Sequence, residues 1–168
     1  KLFTYANDVL IDTKNNKMEI IEKTSESWKI SLVDTGESTM TGGRLKRIKK
    51  YINGETFLCT YGDGVSDINI NSLLKHHKSK GKLATLSAVK PPGRYGALEI
   101  KPDSSVSKFQ EKPDGDGNWI NGGFFVLDSQ VLDYIDDDDT VLEQSPLKNL
   151  AKDNQLSAFK HSGYWQPM

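Results

Sequence analysis

Apolar and polar positions change period several times along the chain, and each change marks an element. "VLIDTKNNKMEIIEK" sets two apolar runs on either side of the polar "TKNN", which predicts a hairpin, and "WKISLVD" predicts a further strand. From Thr41 the period lengthens: Leu45, Ile48, Tyr51 and Ile52 recur at helical spacing, with Thr41 as N-cap and Gly54 as the stop. "TFLCTY" reads as a short apolar strand, "NSLLKHHKSKGK" as a helix capped by Asn71 or Ser72 and ended by Gly81, and "KLATLSAVK" as another strand. "GALEIK" and "VSKFQEK" alternate like an antiparallel pair around the turn "PDSS". Next, "WINGGFFVLD" predicts an apolar strand and "SQVLDYID" a short helix. "SPLKNLAKDN" predicts a helix capped by Ser145 with Pro146 in first position, and "LSAFKHSGYW" a last strand.

Helix, strand, helix, strand through the middle of the chain is the pattern of parallel strands joined by helical crossovers. The expected fold class is therefore α/β: a Rossmann-like, mostly parallel mixed sheet with an antiparallel element and an N-terminal β-hairpin. The 168 residues contain no repeat or low-complexity linker and suffice for one domain with its own core.

Composition narrows the partners. A net charge of −1 with 27% charged residues gives no global field toward nucleic acid or an anionic membrane, so a polyanion has to be held by a local site. The single cysteine, Cys59, excludes an internal disulfide framework, fits a reducing compartment and reads as a buried structural thiol. No apolar stretch approaches the roughly 20 residues that cross a bilayer, and the first residues lack a signal-peptide layout, so a soluble, cytoplasmic protein is expected. Arg47, Lys49 and Lys50 fall largely off the apolar stripe and are expected on a solvated helix face; "DDDD", at 136–139, is expected to be a solvated turn.

Candidate chemistry gathers at three places. In "CTYGDG" Asp63 stands between Gly62 and Gly64 directly after an apolar strand, and ligands of open parallel sheets sit outside the carboxyl ends of the strands. Two readings stand: an Asp-Gly turn, or a carboxylate held out to a hard cation and its phosphates, with glycines allowing sharp backbone angles. In "TMTGGRLKR" hydroxyls and two glycines lead into a helix start; the segment is either a plain cap or an anion cradle of backbone N–H groups and Arg44. "PPGRYG" and "FQEKP" flank the antiparallel pair, and Glu111 and Lys112, adjacent on a strand, point to opposite faces. The glycines of "NGGFFV" imply either close approach of a ligand or packing against a helix. Trp165 either stacks on a sugar or fills the core. His76, His77 and His161 have no ligand-spaced partners and are assigned neither metal nor catalysis.

In this order, "LVDTG", "TMTGGRLKR", "TYGDGVSD", "PPGRYGALEI", "FQEKP", "WINGGFFVL" and "GYWQPM" make the chain, from about Asp8 to Met168, resemble the glucose-1-phosphate cytidylyltransferases, a branch of the sugar-nucleotide pyrophosphorylases. The resemblance implies cytidylyl transfer from CTP to α-D-glucose 1-phosphate, giving CDP-glucose and pyrophosphate. Magnesium serves as cofactor, CTP and glucose 1-phosphate are the small-molecule partners, and the full-length protein is a homo-oligomer. CDP-glucose typically feeds deoxysugars of cell-surface polysaccharide such as O-antigen. By the same resemblance Asp63 is the magnesium-binding aspartate, and Thr39, Arg44 and Gly62 contact the nucleotide. Lys112 contacts phosphate at the reacting centre, and Glu111 accepts from a glucose hydroxyl. Tyr95, Gly96, Asn121 and Gly122 line the sugar pocket. Asp63, Lys112 and Arg44 are thus the expected catalytic set.

Two departures qualify this. The family's Gly-Gly-x-Gly-Thr-Arg loop with its following lysine is not found in the sequence, nor is the aspartate that follows "WQPM". Residues 1–168 are expected to be a partial nucleotidyltransferase domain lacking its N-terminal nucleotide loop and its C-terminal tail, inactive and unstable when made alone. A different base (UTP, dTTP or GTP) and a non-catalytic binding module are the alternatives.

Overall fold

The computed structural model describes residues 7–23, 29–91, 97–110 and 119–168. It divides into two compact units, Lys1–Asp34 and Thr35–Met168. The first unit holds strands β1 (Asn7–Asp12) and β2 (Lys17–Lys23), an antiparallel hairpin whose register runs from Asp12 opposite Lys17 to Asn7 opposite Lys23. Asp12 organises the connecting turn by accepting from the backbone N–H of Lys14 and Asn15 and the Asn15 amide, contacts that hold its carboxyl below the usual range. The strand expected from "WKISLVD" does not form over residues 29–34. Ile30 and Leu32 are 68% and 95% exposed there, and apolar alternation makes a strand only where a neighbour takes its hydrogen bonds and covers one face.

The second unit is built on a four-stranded sheet of β3 (Phe57–Thr60), β8 (Ile120–Leu127), β5 (Ala84–Val89) and β9 (Leu156–His161), in that order. β8 runs antiparallel to both β3 and β5, and β9 runs parallel to β5. Hence β3, β5 and β9 share one direction and β8 alone opposes them, which makes the sheet mixed. Two antiparallel pairs stand beside this sheet: the hairpin of β6 (Ala97–Ile100) with β7 (Val106–Gln110), and the long-range pair of β4 (Gly64–Ser66) with β10 (Trp165–Pro167).

Both faces of the sheet are covered, and β8 shows why its second half, Phe124–Leu127, is continuously apolar. Successive side chains point to opposite faces. Phe125 and Leu127 join Ala84, Val131, Leu142, Leu147 and Leu150 in one core cluster, while Val126 joins Ile68 and Leu73 in the other. The first cluster is closed by a 3₁₀ helix (Ser129–Tyr134) and by α4 (Ser145–Lys152), the second by α3 (Ile70–Lys80). Strands buried on both faces lose alternation. Cys59 is half-buried against the first cluster, and burial pushes its thiol pKa up.

Several caps differ from expectation. α3 is capped by Asn69, whose side-chain oxygen accepts from Ser72 N–H at 2.9 Å, rather than by Asn71 or Ser72. Gly81 does end α3, in the left-handed region at φ 57°. The helix expected from Thr41 is two short ones, α1 (Thr41–Arg47) and α2 (Lys49–Ile52), divided at Ile48, and Asn53 (φ 53°) and Gly54 (φ 76°) end the second. Thr41 is the first helical residue rather than the cap because its hydroxyl is engaged elsewhere, accepting from Leu142 N–H and donating to Glu143. Ser145 likewise begins α4, with Pro146 in the first turn. No described helix is long and apolar enough to cross a membrane.

Candidate functional site

The shared direction of β3, β5 and β9 brings their carboxyl ends to one edge, where an open α/β sheet binds ligands. β3 ends at Thr60 and leads through Tyr61 and Gly62 to Asp63. Because β8 runs the other way, its beginning lies at the same edge: Asn121 is opposite Ala88 and Ile120 opposite Val89. β9 ends beside them, with His161 opposite Val89.

Asp63 is exposed, and its carboxylate has no hydrogen bond or ion pair to a described residue. Its backbone carbonyl accepts from Met168 N–H at 2.7 Å, so the β4–β10 ladder fixes the loop. Neither flanking glycine adopts a positive φ, contrary to the expectation of sharp backbone angles. Among the described residues, a Cβ built on Gly62 meets nothing within 4 Å, and one on Gly64 reaches only Gly122 and Phe124 at 4.0 Å. Their packing does not demand glycine; it leaves open space beside Asp63.

The "TMTGGRLKR" segment is differently built from an anion cradle. Gly42 and Gly43 both donate their N–H to Thr140 O, at 3.0 and 3.3 Å, and Met40 N–H donates to Asp138 O at 2.8 Å. A Cβ on Gly42 would lie 2.7 Å from Thr140 O, and one on Gly43 2.6 Å from Asp138 Cα. These glycines therefore seat α1 on the 138–140 backbone, and their amides are not offered to a phosphate. Thr39 is buried at 6% exposure. Arg44 donates from Nη1 to Thr35 Oγ1 (2.8 Å) and from Nη2 to the Glu37 carbonyl (3.0 Å), which orders the loop ahead of the helix.

Arg47 lies on an exposed helix face and "DDDD" in an exposed turn, as expected, and the structure pairs the two. Arg47 grips Asp138 through Nε and Nη2 at 2.9 and 2.5 Å, and this guanidinium holds the Asp138 carboxyl below its usual range. Lys46 donates to the Ile135 and Asp136 carbonyls.

In "NGGFFV" the structure favours packing as the reason for both glycines. A Cβ on Gly122 would sit 2.7 Å from Ser87 Oγ and 2.8 Å from Val89 Cγ1; one on Gly123, at φ 79°, would strike the Tyr61 ring at 2.5 Å. Trp165 is half-buried and donates from Nε1 to Gly122 O at 2.8 Å, stapling β10 to β8. His77 is buried between Thr85 and Asp128, His76 bonds Ser157, and His161 pairs with Asp67 at 2.8 Å. A cleft of about 280 Å³ lined by Lys90, Trp119, His161, Ser162 and Gly163 opens at the ends of β5 and β9. Tyr95, Gly96, Glu111 and Lys112 lie outside the described residues.

Two residues at this edge escaped the sequence reading. Tyr61 donates to Glu143 Oε1 at 2.5 Å and accepts from Asn121 Nδ2 at 3.0 Å, while Glu143 Oε2 accepts from Thr41 at 2.8 Å. Burial, reinforced by the Glu143 carboxylate, pushes the Tyr61 phenol well above its ordinary range. Tyr61 lay inside a quoted motif, whereas nothing local to "LEQSP" signals that Glu143 reaches a residue 82 positions earlier.

The arrangement has counterparts among known proteins. The glucose-1-phosphate cytidylyltransferases of Salmonella typhimurium and Salmonella typhi are each 53% identical over 167 residues, 99% of this chain and 65% of theirs. The chain thus spans 65% of the length of these relatives. Among solved structures, HddC from Yersinia pseudotuberculosis superposes with a TM-score of 0.54 at 25% identity, over 78% of this chain and 57% of that one. The sequence model of the nucleotidyl transferases matches residues 4–166, nearly the whole length, and the chain is accordingly a member of the nucleotidyl transferase family.

Proposed function

We propose that the protein to which these residues belong transfers cytidylyl from CTP to α-D-glucose 1-phosphate, releasing pyrophosphate and CDP-glucose. The observation that carries the reading is Asp63: an exposed carboxylate at the carboxyl end of β3, with no partner and open space at Gly62 among the described residues, inside a chain 53% identical to cytidylyltransferases. A phosphate oxygen of the sugar phosphate attacks the α-phosphorus in line, and pyrophosphate leaves without a covalent enzyme intermediate; catalysis is then positioning and electrostatics.

Among the described residues no group of three or more His, Cys, Asp or Glu could hold a metal alone. One hard carboxylate suits magnesium, which keeps water and substrate phosphate oxygens as most of its ligands. Bound beside Asp63, it would neutralise charge on the triphosphate. A residue following Met168 in a longer chain would emerge next to Asp63, since Met168 N–H already rests on the Asp63 carbonyl; this agrees with the family's second aspartate at that place. Lys112 and Arg44 supply positive charge to the phosphates, Thr39 and Gly62 contact the nucleotide, and Tyr95, Gly96, Glu111, Asn121 and Gly122 hold the sugar. For Arg44 and Thr39 this role requires that they exchange their present contacts when the nucleotide enters.

The test is pyrophosphate release by the full-length protein with CTP, UTP, dTTP and GTP, each with glucose 1-phosphate and magnesium. A clear preference for CTP is expected; equal rates with all four refute the cytidine assignment. Asp63→Asn should lower turnover on the order of a hundredfold or more. Retained turnover removes the metal role.

A further inference from the structure

Asn121 is a half-buried amide at the ligand edge of the sheet, and its orientation is fixed twice over. Its Oδ1 accepts from Gly123 N–H at 2.9 Å, and its Nδ2 donates to Tyr61 OH at 3.0 Å. Tyr61 OH can accept because its own proton goes to Glu143 Oε1 at 2.5 Å. Glu143 is held in turn by Thr41 Oγ1 at 2.8 Å, and Thr41 by Leu142 N–H at 3.0 Å. Both constraints agree on which end of the amide is oxygen. Tyr61 itself is located by its backbone N–H on Gly123 O at 3.1 Å and by edge contact with Phe125. A primary amide has two N–H donors and two acceptor lone pairs. One of each is taken by described residues, leaving one donor on Nδ2 and one acceptor on Oδ1.

We propose that Glu143 and Tyr61 are positioning residues that set the Asn121 amide so that its remaining N–H and lone pair bind a hydroxyl pair on the acceptor sugar. A ring hydroxyl both donates and accepts, so a donor and an acceptor side by side match two neighbouring hydroxyls and discriminate against a sugar lacking either. The chain of hydrogen bonds also joins three segments, α1 with Arg44, the loop carrying Asp63, and β8 with Asn121, through one carboxylate. This inference rests on the sugar-phosphate reading above and names the residues behind its sugar selectivity.

The experiment is a cycle of enzyme and substrate variants in the full-length protein. Tyr61→Phe removes the acceptor for Asn121 Nδ2. It should raise the KM for glucose 1-phosphate about tenfold, the equivalent of one hydrogen bond, with the KM for CTP changed less than about twofold. Each singly deoxygenated glucose 1-phosphate is then tested on wild type and variant. For the hydroxyl that Asn121 binds, the two losses should overlap instead of multiplying. Glu143→Gln, which keeps one acceptor and loses the other, should give a smaller shift of the same kind and serves if Tyr61→Phe fails to fold. Multiplying losses for every analogue, or equal rises in both KM values, overturn the positioning role while the cytidylyl reading stands. A wild type that uses no sugar 1-phosphate takes both down.

Discussion

Replacing Gly43 with alanine tests whether the glycine pair before Arg44 serves packing or ligand. A Cβ there would lie 2.6 Å from both Cα and the carbonyl oxygen of Asp138, and 2.8 Å from Thr39 Cγ2. The first two are backbone atoms that cannot rotate aside, so α1 has to withdraw from the 138–140 segment. Inserting a methyl into a closed contact costs about 1–3 kcal/mol. The withdrawal also stretches, without breaking, the three bonds from Met40, Gly42 and Gly43 to Asp138 and Thr140, a loss of about 1 kcal/mol in all. Alanine's helical advantage over glycine returns about 1 kcal/mol. The net loss is about 2 kcal/mol, which at a urea dependence of roughly 2 kcal/mol per molar lowers the unfolding midpoint by about 1 M. The assay is urea unfolding followed by tryptophan fluorescence. Gly62→Ala is the control: no described residue lies within 4 Å of its Cβ and its φ is not positive, so its stability should stay within about 0.5 kcal/mol of wild type. A Gly43→Ala protein as stable as the control refutes the packing account and returns these glycines to a ligand.

The same Gly62→Ala variant should bind nucleotide at least about tenfold more weakly, since a methyl would occupy the space beside Asp63; unchanged nucleotide KM counts against close approach. Asp138, held below its ordinary pKa by Arg47, favours the folded state when ionised. Its contribution is present above about pH 4 and is lost as pH falls through the lowered folded value. Asp138→Asn should flatten the acid limb of the unfolding midpoint against pH, and an unaltered limb rejects the pair. Tyr61 has the opposite sign. Its raised pKa stabilises the fold fully below about pH 10, and that contribution fades as pH climbs further. Tyr61→Phe should therefore lessen alkaline sensitivity, as read from the same midpoints at high pH.

Local signals were legible because their causes are local. The β1–β2 turn is organised by Asp12 within three residues, α3 stops at Gly81 because a left-handed residue is needed there, and the turn between β6 and β7 falls at "PDSS". β8 was legible as an apolar strand from "WINGGFFVLD". What failed depended on distant partners. Thr41 looks like a cap until Glu143 and Leu142 claim its hydroxyl, and Arg47, exposed as expected, has a partner in Asp138 91 positions away that nothing near it announces. "WKISLVD" has a strand's alternation, yet Ile30 and Leu32 stand exposed and residues 29–34 join no ladder. At the candidate site, the position of Asp63 just past the carboxyl end of β3 was readable from the apolar run before it. Glu143 was not, because a carboxylate's reach across the fold leaves no trace in its neighbours.

The order of strands sets a schedule for the newborn chain. β3 leaves the ribosome early, but Phe57 finds Leu127 only when β8 has been made, and Ala84 then waits for Leu156. At elongation rates of about 5–20 residues per second, the first apolar strand of the sheet stays without this neighbour for several seconds. Translation speed and chaperone access over that interval therefore bear on how much of the chain reaches the native sheet.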